Sequence, residues 1–250
     1  MKSDVTLAEL SEAGDKYIKD RSVGQINDGE ILRSKGDYES GRYTGSLSAQ
    51  TLGICHPTTA QLDYIICNNA LKTGNPLKAE GSQLLKLQVG AHIDGYGAVV
   101  GGNFLLGESL AAKKLAKAAT EVAKLVLDTI KVSIITSKRV VALIDNLFPL
   151  LLAWRASWHQ HTQYDIQGPK EIDLFPSGDK PYQEGIFFET GEVYTVEVWI
   201  TDAEDPAPQP AVELDKTLHQ IPPSKDISGL SAELKEAYKC ITDKVRLHQI

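Results

Sequence analysis

The chain reads as an α/β or α+β domain, because helical and strand-type apolar patterns alternate along it. Three stretches carry that reading. From Ser109 to Lys131, apolar residues recur at helical spacing and alanine is frequent. Lys86 to Val100 reads as two short strands joined through a glycine-rich turn. Glu192 to Ile200 is rich in β-branched and aromatic residues, as a strand requires.

At 250 residues, with 42% hydrophobic and 24% charged, the chain can bury a sizeable core and is expected to form one domain over residues 1–250. A net charge of -7 gives no global basic signature, so nucleic-acid contact has to come from local patches. Cys55, Cys67 and Cys240 are odd in number and widely spaced, which points to a reducing compartment rather than a disulfide framework. Residues 1–6 lack the apolar core of a signal peptide, and no apolar run approaches the roughly 20 residues that span a bilayer. The expectation is a soluble intracellular protein without a membrane partner.

Taken in order, Thr6 and Glu9 form a capping box that opens a helix over residues 7–20, with Leu7, Leu10, Gly14, Tyr17 and Ile18 on one face. Residues 21–51 show no sustained period and read as a loop or insertion. A buried strand is expected at Leu62 and Tyr64–Cys67, ended by Asn68 and Asn69. Leu84–Val89 opens the central hairpin, in which Gly90, Gly95 and Gly97 should supply turns while Val89, Ile93 and Val100 pack. The hairpin is expected to end near Val100, with Gly101-Gly102 releasing the chain.

On the 109–131 helix, Leu110, Leu115, Ala118, Val122, Leu125 and Val126 should cover the buried side. Lys113, Lys117, Lys124 and Lys131 form a stripe on the other, either a solvated face or a landing strip for phosphates. A second helix should start at Ser137 and end or bend at Pro149. Residues 170–184 read as turn-rich, Gly185–Glu189 and Glu192–Ile200 as a strand pair around Thr190-Gly191, and 228–247 as a last helix built on Leu230, Leu234, Ala237, Cys240, Ile241 and Val245.

Chemistry-bearing motifs are sparse. His92 and Asp94 are two apart and would share a strand face; His159 and His161 would diverge on a helix; Glu197 is a carboxylate in an apolar strand that needs a partner or water. The sequence contains no nucleophile elbow, P-loop or His-Glu-x-x-His.

Three segments together resemble the methionine aminopeptidase ("pita-bread") family: Gly53-Ile-Cys-His-Pro-Thr58, Val89-Gly-Ala-His-Ile-Asp-Gly-Tyr96 and Thr190-Gly-Glu-Val-Tyr-Thr-Val-Glu197. Pro57, Gly90, His92, Asp94, Gly95 and Gly191 are the motif residues. The His-x-Asp-Gly-aromatic form is closest to the non-peptidase relatives, the proliferation-associated proteins and the ribosomal large-subunit export factors. Active members hold two divalent metals through two Asp, one His and two Glu. By the resemblance, the two hairpin aspartates correspond to Gln88 and Val99, and the substrate-site histidine to Asn68 or its neighbour. The ligand histidine has no clear counterpart. Glu197 matches the first glutamate, and the last would lie on C-terminal strands that the chain is expected to lack.

The resemblance therefore implies a pseudo-enzyme without a cofactor. It would bind rRNA and ribosomal proteins around the exit tunnel of the large ribosomal subunit, in the cytoplasm and in the nucleus or nucleolus. Lys113, Lys117, Lys124 and Lys131 are the candidate RNA face, with Lys16, Lys19 and Arg21 second. The alternatives are an adaptor binding nascent or N-terminal peptides in the old substrate cleft, and a metalloaminopeptidase with displaced ligands using His92, Asp94 and Glu197.

Overall fold

The computed structural model describes residues 4–28, 52–130, 152–173, 188–202, 217–218 and 228–246. The expected helix from Ser137, the Gly185–Phe187 part of the expected strand pair, residues 29–51 and Lys131 lie outside the described residues. Within them run helix α1 (Leu7–Asp28), strands β1 (Leu52–Leu62), β2 (Leu84–Ile93) and β3 (Tyr96–Leu105), helix α2 (Leu110–Ile130), strands β4 (Leu152–His161), β5 (Glu171–Asp173) and β6 (Val193–Thr201), and helix α3 (Ala232–Arg246). The strands form two antiparallel three-stranded sheets, ordered β1-β2-β3 and β5-β4-β6.

The capping box forms as expected: the Thr6 amide donates to Glu9 Oε2 at 2.7 Å and the Glu9 amide to Thr6 Oγ1 at 3.1 Å. The helix does not stop at residue 20 but continues to Asp28, so residues 21–28 are not loop. Once nucleated, a helix gains a hydrogen bond with each added residue, and no proline interrupts this one. Leu7 and Ala60, both at 0% exposure, anchor a core with Leu62 and Leu85 between α1 and the first sheet.

Strand β1 lies upstream of where apolarity placed it. Thr58, Thr59 and Gln61 are buried in it, whereas Tyr64 is 90% exposed and residues 63–67 form a turn and its exit. Asp63, at φ 45°, ends the strand, and its carboxylate accepts the Leu84 amide at 2.9 Å. Pro57 sits where the β1–β2 register shifts between His56 and Thr59. A proline cannot donate to a ladder, and a bulge is where a strand tolerates one. The Thr58 amide is satisfied from α1 instead, by Asp15 Oδ1 at 2.7 Å.

The β2–β3 pairing runs without a shift from Ile93↔Tyr96 to Leu84↔Leu105, so Gly101 and Gly102 continue the strand rather than release it. Asp94 (φ 50°) and Gly95 (φ 82°) supply the two left-handed positions of a two-residue hairpin turn. Gly90 and Gly97 make no turn; they make room. A Cβ on Gly90 would lie 2.6 Å from His56 Cβ, and one on Gly97 would lie 2.7 Å from Ile166 Cγ2. Ile93 and Val100, expected to pack, are 41% and 65% exposed.

Helix α2 starts at a Ser109 cap, whose Oγ accepts the Ala112 amide at 3.3 Å. Ala118, Val122 and Val126 are buried against the second sheet, but Leu110, assigned to that side, is 70% exposed. Counted at about 100° per residue, Leu110 falls nearer the lysine stripe than the buried arc. The turn-rich reading of 170–184 is corrected at Glu171–Asp173, which is β5, and β6 takes β4 as its ladder partner. On α3, Leu234 is 56% exposed and Ala237 and Cys240 are exposed, so the expected apolar face is open at these three positions.

Candidate functional site

The two sheets meet at the tip of the hairpin. The Tyr164 amide donates to the Gly95 carbonyl at 2.8 Å, and Gln163 Nε2 donates to the Asp94 carbonyl at 3.0 Å. His161 Nδ1 lies 2.9 Å from the Gly97 carbonyl, and its Nε2 lies 2.7 Å from Thr195 Oγ1. A carbonyl only accepts, so Nδ1 carries the hydrogen and Nε2 accepts from the threonine hydroxyl. His161 thus bridges β3 to β6.

Strand alternation puts Ser157, His159 and His161 on one face of the second sheet, beside Thr195, Glu197 and Trp199 of β6. Glu197 keeps one firm partner, the Trp199 indole N–H at 2.8 Å from Oε1. His159 stands between two carboxylates, with Nε2 4.0 Å from Glu197 and Nδ1 3.9 Å from Glu171. Ser157 Oγ is 3.1 Å from His159 Nε2. The sequence reading missed His159 because it had no strand there; on a strand, its spacing of two from His161 is the signal of a shared face.

The motif residues divide into structural roles. His92 Nδ1 accepts the Gly95 amide at 3.3 Å, closing the hairpin turn from within. Burial lowers its pKa, with Asp94 opposing more weakly. Gly191, at φ 92°, makes the turn from Glu189 to Glu192. Glu192 then ties together Lys170, the Glu189 amide (2.7 Å), the Tyr194 hydroxyl (2.8 Å) and Gln160 Nε2 (3.2 Å). Burial works against its charge, but these hydrogen bonds, led by Lys170, outweigh it and lower its pKa. Cys55, also within a motif, is a buried thiol pushed up to about 11 by that burial, which suits packing and not nucleophilic attack.

Gln88 and Val99 fall on one face of the hairpin, since Val99 pairs with Gly90 and Gln88 lies two residues from Gly90. Asn68 is exposed on a loop at φ 59°. These residues do not fit a pair of divalent metals: valine has no lone pair, glutamine no charge, and Glu197 Oε1 already accepts the indole. His92 and Asp94 belong to the turn and do not join Glu197. Among the described residues, no three His, Cys, Asp or Glu are grouped so as to hold a metal ion.

Lys113, Lys117 and Lys124 are exposed and fall within about 40° of arc on α2, opposite its buried side. Glu121 and Asp128 flank them, Glu121 Oε1 at 4.0 Å from Lys124 Nζ, so the stripe is less positive than its lysines alone. On α1, Lys16 and Lys19 are exposed and Lys16 pairs with Asp20 at 2.5 Å; Arg21 lies on the same helix.

The architecture is that of the methionine aminopeptidases. A methionine aminopeptidase from Rickettsia prowazekii matches with a TM-score of 0.52 at 14% identity, over 81% of this chain and 71% of its own. A thermophilic Arx1 matches with a TM-score of 0.56 at 18% identity, over 80% of this chain and 57% of its own. In sequence, the chain is 25% identical over 229 residues to ErbB-3 binding protein 1 of Solanum tuberosum, covering 88% of this chain and 53% of the relative. No family model matches the sequence. The chain thus has the methionine aminopeptidase-like fold and is similar in sequence to ErbB-3 binding protein 1, and it spans about half the length of that relative.

Proposed function

We propose that this chain is a catalytically inactive aminopeptidase-like factor of the large ribosomal subunit. It binds near the polypeptide exit tunnel, contacts rRNA and ribosomal proteins, and serves subunit biogenesis, export or translation control in the nucleus or nucleolus and the cytoplasm. The observation that carries the inactivity is the Gln88 and Val99 pair: the hairpin face that would have to converge two carboxylates on metal offers an amide and a hydrocarbon. Without those ligands, neither Lewis-acid polarisation nor activation of a bound water is available. The ribosomal part is supported by the resemblance to proliferation-associated and export-type relatives, and by the likeness to ErbB-3 binding protein 1 and Arx1.

Lys113, Lys117 and Lys124 are the phosphate contacts in this reading, continued by Lys131 in sequence, with Lys16, Lys19 and Arg21 as a second patch. Two experiments test the two halves. Sedimentation with ribosomal particles through low-salt gradients should place the chain with the large subunit, and its absence there sinks the ribosomal part. Release of methionine from a peptide in the presence of manganese, cobalt or zinc would sink the inactive part.

A further inference from the structure

Strand β3 is the outer strand of its sheet, and its outer edge is unpaired beyond Gly97. Ile93 and Tyr96 flank the two-residue turn and therefore face each other as a hydrogen-bonded pair. Counting on from Tyr96, Ala98, Val100, Gly102 and Phe104 turn their backbone toward β2, and Gly97, Val99, Gly101 and Asn103 turn theirs outward. The Gly97 carbonyl fixes the phase, because it points outward to His161. The outward groups of Val99, Gly101 and Asn103 meet no hydrogen-bonding partner among the described residues.

The strand is also uncovered. Val100 and Phe104 are 65% and 51% exposed on one face, and Gly101 and Asn103 are exposed on the other. A Cβ added at Gly101 would meet nothing nearer than the Leu87 carbonyl oxygen at 3.6 Å. Natural edges are blunted by charge, proline or a bulge. Tyr96–Leu105 contains no charged residue and no proline, and its register carries no shift.

The strand's own residues select its occupant. Val99, Gly101 and Asn103 are symmetric about Gly101, and His161 closes the edge on the Gly97 side. An antiparallel copy of β3, related by a two-fold axis at Gly101, puts Val99 opposite Asn103 of the second copy and Gly101 opposite itself. Each such pair exchanges both of its backbone hydrogen bonds. On the exposed apolar face the same register sets large beside small, Phe104 beside Ala98 of the second copy and Val100 beside its Gly102. The axis itself, where two identical side chains would collide, carries a glycine. A two-fold contact also sets each charge at its centre against itself, and a strand without charge meets its copy without repulsion. We propose that the β3 edge is a self-association surface, on which a second copy of the chain pairs across a two-fold axis at Gly101 and joins the two copies' sheets into one. This inference does not depend on the ribosomal reading.

The test is sedimentation equilibrium of the full 250-residue chain under reducing conditions, which keep exposed Cys240 from cross-linking. A reversible dimer of the 27.3 kDa chain is expected. Gly101→Lys sets like charges against each other at the axis, in space that the single chain leaves open. It should weaken the dimer at least about tenfold with the circular dichroism spectrum unchanged, and Gly101→Glu should do the same. Mixing the Lys and Glu variants in equal amounts should restore a dimer, because opposite charges then meet at the axis. Gly101→Pro removes an outward amide and gives the same loss by a second route if a charged variant misfolds. A chain that stays monomeric at every concentration overturns the proposal. So does a dimer insensitive to both Gly101→Lys and Gly101→Pro, and so does a Lys/Glu mixture that stays monomeric. A monomeric chain that instead binds a fluorescein-labelled peptide of alternating threonine and valine assigns the edge to a free segment, and overturns the self-pairing.

Discussion

Gly14 and Thr58 test how α1 is seated on β1. A Cβ added at Gly14 would lie 2.5 Å from Thr58 Oγ1 and 2.6 Å from Thr58 Cγ2. Gly14→Ala gains about 1 kcal/mol of helix propensity but overpacks a closed contact, at a cost of about 1–3 kcal/mol. The net is a loss of up to about 2 kcal/mol. Thr58→Ala alone should be nearly neutral: it gives up a buried methyl group, about 1 kcal/mol, but also removes a buried hydroxyl without a partner among the described residues. In the double variant the nearest remaining atom is the residue 58 Cβ at 3.0 Å, so most of the overpacking is relieved and Gly14→Ala costs less than it does in the wild-type chain. The expected coupling is about 1–2 kcal/mol, read as a shift in the urea midpoint at constant slope or as about 2–4 °C in Tm per kcal/mol. If the two changes are simply additive, α1 does not sit on β1 through this contact.

Other outcomes follow from the same geometry. Gly97→Ala should destabilise the chain by about 1–3 kcal/mol in urea unfolding, because its Cβ would meet Ile166 at 2.7 Å; an unchanged midpoint would remove the packing role. Tyr194 is pushed up to about 12, first by burial and then by its hydrogen bond to Glu192. The unfolded tyrosine ionises near about pH 10 while the folded one does not, so this contribution is intact below that pH and lost toward about 12; Tyr194→Phe should flatten the alkaline fall in stability. Thiol titration of the native chain should modify exposed Cys240 quickly and buried Cys55 only on unfolding; fast labelling of Cys55 in a Cys67→Ser/Cys240→Ser variant contradicts its burial. Replacing Lys113, Lys117 and Lys124 with glutamine should weaken ribosomal-particle binding and flatten its salt dependence by about two to three phosphate contacts; an unaltered slope excludes this face.

Much of this was legible in the chain because it is local chemistry. The Thr6–Glu9 capping box, the lysine and apolar arcs of α2 and the Glu197 strand face follow from spacing alone, since each depends on neighbours a few residues apart. The family motifs were legible for a similar reason: Pro57, Gly95 and Gly191 meet local backbone requirements that few other residues can. What only the tertiary structure decided concerns partners distant in sequence. Apolarity placed the buried strand at Tyr64–Cys67, but α1 selected the polar Pro57–Gln61 stretch by answering the Thr58 amide with Asp15. His159 became a neighbour of Glu197 only when β6 paired with β4. Gly90 and Gly97 serve side chains from other elements, a demand that no window around either glycine contains. Periodicity reports what a residue's own segment needs; which face is covered, and by what, is settled by contacts between segments.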